Sequence, residues 1–191
     1  QRVFDAAYLF VVTLLCMERI QFMASFAVTF GICESTGLFQ PIGKAVQKIA
    51  QDEFEVHVQY GKEVLKALYK TPRGQAAFAN CRDSIVAIIN EVVASETTWT
   101  EYAFSEGREL TGVTCQMMKD WVYFSATDVI TFFALEAEAS FPLVRTNPLK
   151  YMENWLDMGK IQASNQEEDT AQYKVGVMKR DDEDAVFAVD F

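Results

Sequence analysis

The sequence contains one histidine, four cysteines, four prolines and only 17 Lys and Arg residues against 27 Asp and Glu. The resulting net charge of −10 repels phosphate, and no basic stripe offsets it, which argues against a nucleic-acid-binding protein. Cys16, Cys33, Cys81 and Cys115 are widely spaced and form no CxxC pair, so neither a disulfide scaffold nor a zinc knuckle is expected. They read as reduced thiols of a cytoplasmic protein. No stretch alternates polar and apolar residues, and neither Asn-Gly nor Asp-Gly occurs, which removes the usual signals of strands and hairpins. The longest apolar run, residues 6–17, is interrupted only by Thr13 and closed by Asp5 and Glu18-Arg19. It falls short of the ~20 residues that cross a bilayer. It also lacks a basic leader and a small-residue cleavage site, so no membrane association is expected. The chain opens on Gln1 rather than Met, which reads as a fragment or a processed piece.

What is present is a chain of 191 residues, 50% hydrophobic and 13% aromatic, enough for one domain with a sizeable core and an extension. Apolar spacing predicts a long helix over 3–33, buried on nearly all sides, and a second over 41–69 with a stripe of Ile42, Val46, Ile49, Ala50, Phe54 and Val56. A third follows over 75–104, a fourth over about 114–135, and a short one over 148–156. Glu34-Ser-Thr-Gly, Thr71-Pro-Arg-Gly and the pair Gly107 and Gly112 separate them. The expected fold class is all-α. From Asn165 the composition changes: residues 165–191 carry eight acids and three bases, then end on Ala-Val-Phe-Ala-Val-Asp-Phe. Such a segment builds no core and reads as a mobile acidic tail, either a frayed terminus or a tether whose apolar tip, with Phe187 and Phe191, folds onto a partner. The expected organisation is a helical domain over 1–164 and a tail over 165–191.

Three residues stand out chemically. Glu18 follows the apolar run and precedes Phe22 and Phe26 at four-residue steps, so a carboxylate shares a stripe with two aromatic rings. A buried carboxylate needs a basic partner or a metal. His57, the sole histidine, lies four residues after Glu53 and therefore one helical turn away on the same face. One Glu on one core helix and a Glu/His pair on the next are half of the donor set of a di-iron carboxylate bundle. Oxygen and imidazole donors suit iron, with manganese as the alternative.

Three blocks of the sequence resemble the small (beta) subunit of class I ribonucleotide reductase, specifically its C-terminal half. Met17-Glu-Arg-Ile-Gln-Phe-Met-Ala-Ser-Phe-Ala-Val-Thr-Phe is similar to the family's third ligand helix. Ile49-Ala-Gln-Asp-Glu-Phe-Glu-Val-His is similar to its Ile-Ala-Arg-Asp-Glu-x-x-His, here one residue longer, an insertion that a local π-bulge would absorb. The third block is the tail, with Tyr173, Glu167 and Phe191, and Asn147-Pro-Leu-Lys-Tyr-Met-Glu-Asn-Trp-Leu also resembles the segment ahead of the family's tail. The resemblance implies a partial ferritin-like helical bundle with Glu18, Glu53 and His57 as metal ligands. It also implies that Phe22, Phe26 and Ile49 shelter a radical and that Asp52 belongs to a radical-transfer chain. In the tail it assigns Tyr173 to a radical relay, Glu167 to a supporting role in that transfer, and Phe191 to docking.

The activity implied is the supply of the oxidant for reducing ribonucleotides to deoxyribonucleotides. The implied partners are the large (alpha) subunit, bound through the tail, a second small subunit, and the upstream half if the subunit is split. That half would bring the family's remaining ligands and its radical-bearing tyrosine. Two other readings remain open on the residues alone: another di-iron carboxylate oxidase or oxygenase, and a metal-free helical interaction protein in which Glu18, Glu53 and His57 pair with Lys or Arg.

Overall fold

A computed structural model describes residues 1–159. Seven α-helices account for most of them: α1 (Arg2–Cys16), α2 (Phe22–Thr36), α3 (Gln40–Gln51), α4 (Val58–Tyr69), α5 (Pro72–Ala103), α6 (Cys115–Phe132) and α7 (Tyr151–Leu156). Two π-helical turns join pairs of them end to end: π1 (Met17–Gln21) between α1 and α2, and π2 (Asp52–His57) between α3 and α4. The first two predicted helices are thus two long rods, each with one widened turn. Among the described residues there is no β-strand, only an isolated bridge between Leu110 and Val113.

Turn chemistry sets the boundaries. Gly37 takes a left-handed φ of 65° after α2, and its N–H bonds to the Cys33 carbonyl. Thr71 caps α5 by accepting from the Gly74 N–H at 3.0 Å, with Pro72 in the first turn, where a missing N–H costs nothing. Thr114 caps α6 in the same way through the Met117 N–H.

The rods α1–π1–α2 and α3–π2–α4 pack against α5 and α6 around two buried clusters. Tyr8, Val12, Leu15, Ile20, Val58, Leu65, Ile85, Ile89 and Val129 form one. Met23, Phe30, Ala50, Met118, Trp121, Met152 and Trp155 form the other, in which the Phe30 and Trp155 rings stack with centroids 4.5 Å apart. The Trp121 indole N–H donates to the Met23 carbonyl, and Tyr151 donates to that of Ala27, so both aromatic residues bury their polar atoms in hydrogen bonds. All four cysteines are free thiols. No helix among the described residues is long and apolar enough to cross a membrane.

One expectation is corrected. The first rod is not buried on nearly all sides: Phe10 is 62% exposed, and Val3, Leu14 and Phe22 are exposed as well. On the second rod Ile49 is 53% exposed, and Ile42 and Val56 are exposed as well. The apolar stripes are present, but among the described residues no element lies over that flank. A second difference is the 3-10 turn Glu136–Glu138 after α6, where the sequence suggested only a helix end.

The chain leaves α6 through Ala134, which sits at φ 55°, while the Leu135 N–H bonds to the Ile130 carbonyl and the Ala134 N–H to that of Thr131. This C-cap geometry favours glycine, because a Cβ in the left-handed region crowds the backbone. Ala134→Gly is therefore expected to stabilise the chain by about 0.5–1 kcal/mol, the relieved strain exceeding the added chain entropy. Urea denaturation checks it, and an unchanged or lower midpoint contradicts it.

Candidate metal centre

Each of the two π turns carries donors. Glu18 lies in π1, and Glu53 and His57 open and close the five-residue stretch that spans most of π2. Widened turns of this kind are rare and concentrate at functional sites. In π2 the turn accommodates the four-residue separation of Glu53 and His57 without moving Val58 or Leu65 out of the core.

The three side chains converge. One ligating atom from each of Glu18, Glu53 and His57 lies within 4.8 Å of the others. His57 Nδ1 hydrogen-bonds with Glu53 Oε2 and stands 4.0 Å from Glu18 Oε1. Both carboxylates are largely covered, whereas the imidazole is 53% exposed and faces out of the bundle. A groove of about 410 Å3 opens beside them, walled by Val11, Leu14, Tyr60 and Val64 from α1 and α4.

The electrostatics of this cluster are unfavourable for the protein alone. Burial, together with the neighbouring Glu53 carboxylate, pushes the Glu18 pKa from its ordinary 4.5 up to about 7. The hydrogen bond to Glu53 raises His57 above its usual value, with the Glu18 and Asp52 charges adding to the effect. Glu18 Oε2 is buried with no hydrogen-bond partner. Among the described residues neither Glu18 nor Glu53 pairs with Lys or Arg. The nearby cations go elsewhere: Arg19 and Lys62 both bind Asp128. The basic partner envisaged for Glu18 is therefore not what the described residues provide.

An orphaned carboxylate oxygen, a second carboxylate and an imidazole meeting at one point fit a divalent cation such as iron or manganese. They amount to one Glu and one Glu/His pair, half of the donor set of a four-helix di-metal site.

The other sequence-predicted residues are placed less pointedly. Asp52 is exposed at the start of π2, next to Glu53. Phe22 and Phe26 are adjacent, with ring centroids 6.3 Å apart, but Phe22 is exposed and Phe26 only half-buried. With Ile49 exposed too, these residues do not enclose the site within the described chain, because they lie on the uncovered flank. Tyr173, Glu167, Phe187 and Phe191 fall outside the described residues. Sequence reasoning missed the ionic cluster of Arg19, Lys62, Ser125 and Asp128. Its one visible signal is Arg19, a charge set between apolar segments.

Residues 5–148 match the family described as ribonucleotide reductase, small chain. The chain is 26% identical over 174 residues to the ribonucleoside-diphosphate reductase subunit beta of Buchnera aphidicola subsp. Schizaphis graminum, covering 88% of this chain and 44% of that protein. It is 24% identical over 183 residues to the protein of that name from Buchnera aphidicola subsp. Baizongia pistaciae, covering 94% and 47%. Against the ribonucleoside-diphosphate reductase 1 subunit beta of Salmonella typhimurium it is 24% identical over 172 residues, covering 88% and 44%. The chain thus spans less than half the length of these relatives.

The raised pKa values fix the sign of a pH effect. Between its ordinary value and about 7, Glu18 holds a proton in the folded chain that it has released in the unfolded one. The stability it contributes is therefore present at low pH and lost as pH rises through 7. His57 acts in the same direction, its contribution being lost as pH rises through its raised folded value. Glu18→Gln mimics the protonated form, so in the absence of metal it should match the parent chain near ~pH 5 and exceed it in stability near ~pH 8. Urea denaturation at the two pH values tests this, and equal stability at the higher pH contradicts it.

Proposed function

The chain belongs to the ribonucleotide reductase small-chain family, and from that membership we propose that it acts as part of the oxidant-supplying subunit of a ribonucleoside-diphosphate reductase. Its helical architecture is the ferritin-like all-α fold of that family. The observation that carries the proposal is the convergence of Glu18, Glu53 and His57, one donor group from π1 and two from π2.

In this reading Glu18, Glu53 and His57 hold one half of a di-iron centre, with manganese as the alternative metal. The bound metal would supply one-electron oxidising chemistry with dioxygen. The chain's own residues prepare for it. The proton held at Glu18, and the one shared between Glu53 Oε2 and His57 Nδ1, leave as a cation takes their place. Partial burial of the two carboxylates strengthens their attraction for that cation by thinning the surrounding water. The remaining donors come from a further helical segment that settles over the uncovered flank and encloses Phe22, Phe26 and Ile49, which then keep water and reductants from the oxidant. Asp52 borders this flank and is assigned to the transfer path leading from the centre.

The rest of the proposal follows the resemblance in the tail: Tyr173 as a relay, Glu167 in support, and Phe187 and Phe191 as the docking end for the large subunit. Residues 1–164 form the metal-binding domain and 165–191 the docking tail. The assembly contains two small subunits and is cytoplasmic, and substrate ribonucleotides bind the large subunit. A different di-iron oxidase would share the donor set but gives no role to Tyr173 or the apolar tip.

The test is co-expression with the segment corresponding to the other half of the relatives. The assembled subunit is expected to hold about two iron ions. Glu18→Ala or His57→Ala should abolish that loading. An assembled subunit that takes up no metal overturns the proposal. Tyr173→Phe should leave the metal content unchanged and stop turnover, and retained turnover would remove the relay assignment. Deleting Phe187–Phe191 should weaken binding to the large subunit while leaving the far-ultraviolet circular dichroism unchanged; unaltered affinity contradicts the docking role.

A further inference from the structure

On the α6 side of both π turns lies an ionic cluster that the proposed chemistry does not use, its Arg19 and Lys62 largely covered and its Asp128 carboxylate 39% exposed. Arg19 follows Glu18 in π1, yet its guanidinium points inward and the residue is 3% exposed. Its Nε donates to Asp128 Oδ2 at 2.9 Å and its Nη1 to Ser125 Oγ at 2.7 Å. It also lies over two aromatic rings, Phe124 at 5.6 Å and Phe54 at 5.1 Å. Phe54 is the residue after Glu53 in π2. Lys62, on α4 just beyond His57, reaches both oxygens of the same Asp128 at 2.8 Å. One carboxylate on α6 therefore ties down the turn that carries Glu18 and the helix that continues from His57.

We infer that Asp128 is a positioning residue for the metal centre: it pins Arg19 and Lys62, and through Arg19 and Phe54 it holds the two π turns at the register where Glu18, Glu53 and His57 meet. The inference rests on the metal-binding reading above and deepens it.

Two physical arguments support it. Consecutive residues on a helix point to different sides, so the pairs Glu18/Arg19 and Glu53/Phe54 each place one side chain on the open face and one against the core. Rotating either turn to relax the inner contact would swing the donor outside. A widened turn has few intrinsic reasons to persist, and a metal site needs its ligands fixed by the groups behind them. A purely structural ionic cluster makes a different prediction, since replacing all of its charges together by apolar residues of similar volume is commonly tolerated by the fold.

The experiment uses the full chain assembled with the segment corresponding to the other half of the relatives, with Co2+ as probe, read by equilibrium titration and by the visible ligand-field spectrum. Loss of the signal in Glu18→Ala identifies it with this site. Asp128→Asn is expected to bind Co2+ about 10–100-fold more weakly and with altered bands, the range seen when groups behind metal ligands are changed. Because Asp128→Asn could unfold the chain, the deciding variant combines Arg19→Met, Lys62→Met and Asp128→Leu, which removes every charge of the cluster together. This variant should keep its helical circular dichroism and thermal midpoint while losing Co2+ affinity to the same extent. Parental affinity and spectrum in the triple variant overturn the positioning role and leave the metal reading standing. Absence of Co2+ binding by the assembled parent subunit overturns the metal reading, and this inference with it.

Discussion

Two carboxylates brought together at the edge of an apolar core repel each other, and the rest of the site follows from how that repulsion is met. Glu18 and Glu53 come from separate rods, and each could have turned toward solvent at little cost. Instead Glu18 keeps a buried oxygen without a donor, and its proton affinity rises to about 7. An unsatisfied buried acceptor costs on the order of 1–3 kcal/mol, and desolvation adds to that. Protons meet the charge but not the geometry, because Glu18 Oε2 is still left without a partner. A divalent cation meets both at once. Local destabilisation of this kind, held in place by the surrounding packing, is the usual mark of a functional site.

The widened turns show how the fold reconciles the donors with the core. An inserted residue in an α-helix would rotate everything beyond it by roughly 100° and turn the buried stripe of α4 toward water. In π2 the insertion is confined to one turn, so Val58 and Leu65 keep their places while His57 closes on Glu53. In π1 the turn lets Glu18 meet Glu53 and His57 while Arg19 and Ile20 are buried directly after it. Donor placement and core packing make opposite demands on the same segment, and each demand is satisfied by one irregular turn held from behind by Asp128.

Much of this was legible in the residue order. Gly37, Thr71-Pro72 and Thr114 mark helix ends through local turn and cap chemistry, which needs no knowledge of distant residues. The four-residue step from Glu53 to His57 puts both on one face whatever the fold, and the extra residue in the motif pointed to a bulge. The alliance of Arg19 with Asp128 spans 109 positions and leaves no periodic trace. The exposure of Phe10, Ile49 and Val56 was hidden for a different reason: periodicity tells which side of a helix is apolar but not whether another element covers that side. Tyr173, Glu167, Phe187 and Phe191 lie outside the described residues.

That uncovered side and the half-complete donor set are the same surface. Phe10, Leu14, Glu18 and Phe22 follow one another at four-residue steps along the first rod, as Ile49, Glu53, His57 and the groove residue Tyr60 nearly do along the second. A contiguous apolar patch of this kind is costly in water and marks a surface meant to be covered. A metal held by Glu18, Glu53 and His57 alone would likewise lack half the donors of a di-metal bundle. Because both shortfalls lie on one face, a single helical partner carrying further carboxylates would relieve them together. Metal binding and partner binding are then thermodynamically linked: each raises the affinity for the other by the same factor. Coverage of the face removes water from the carboxylates, which strengthens the metal, and the metal discharges the carboxylates, which makes coverage less costly.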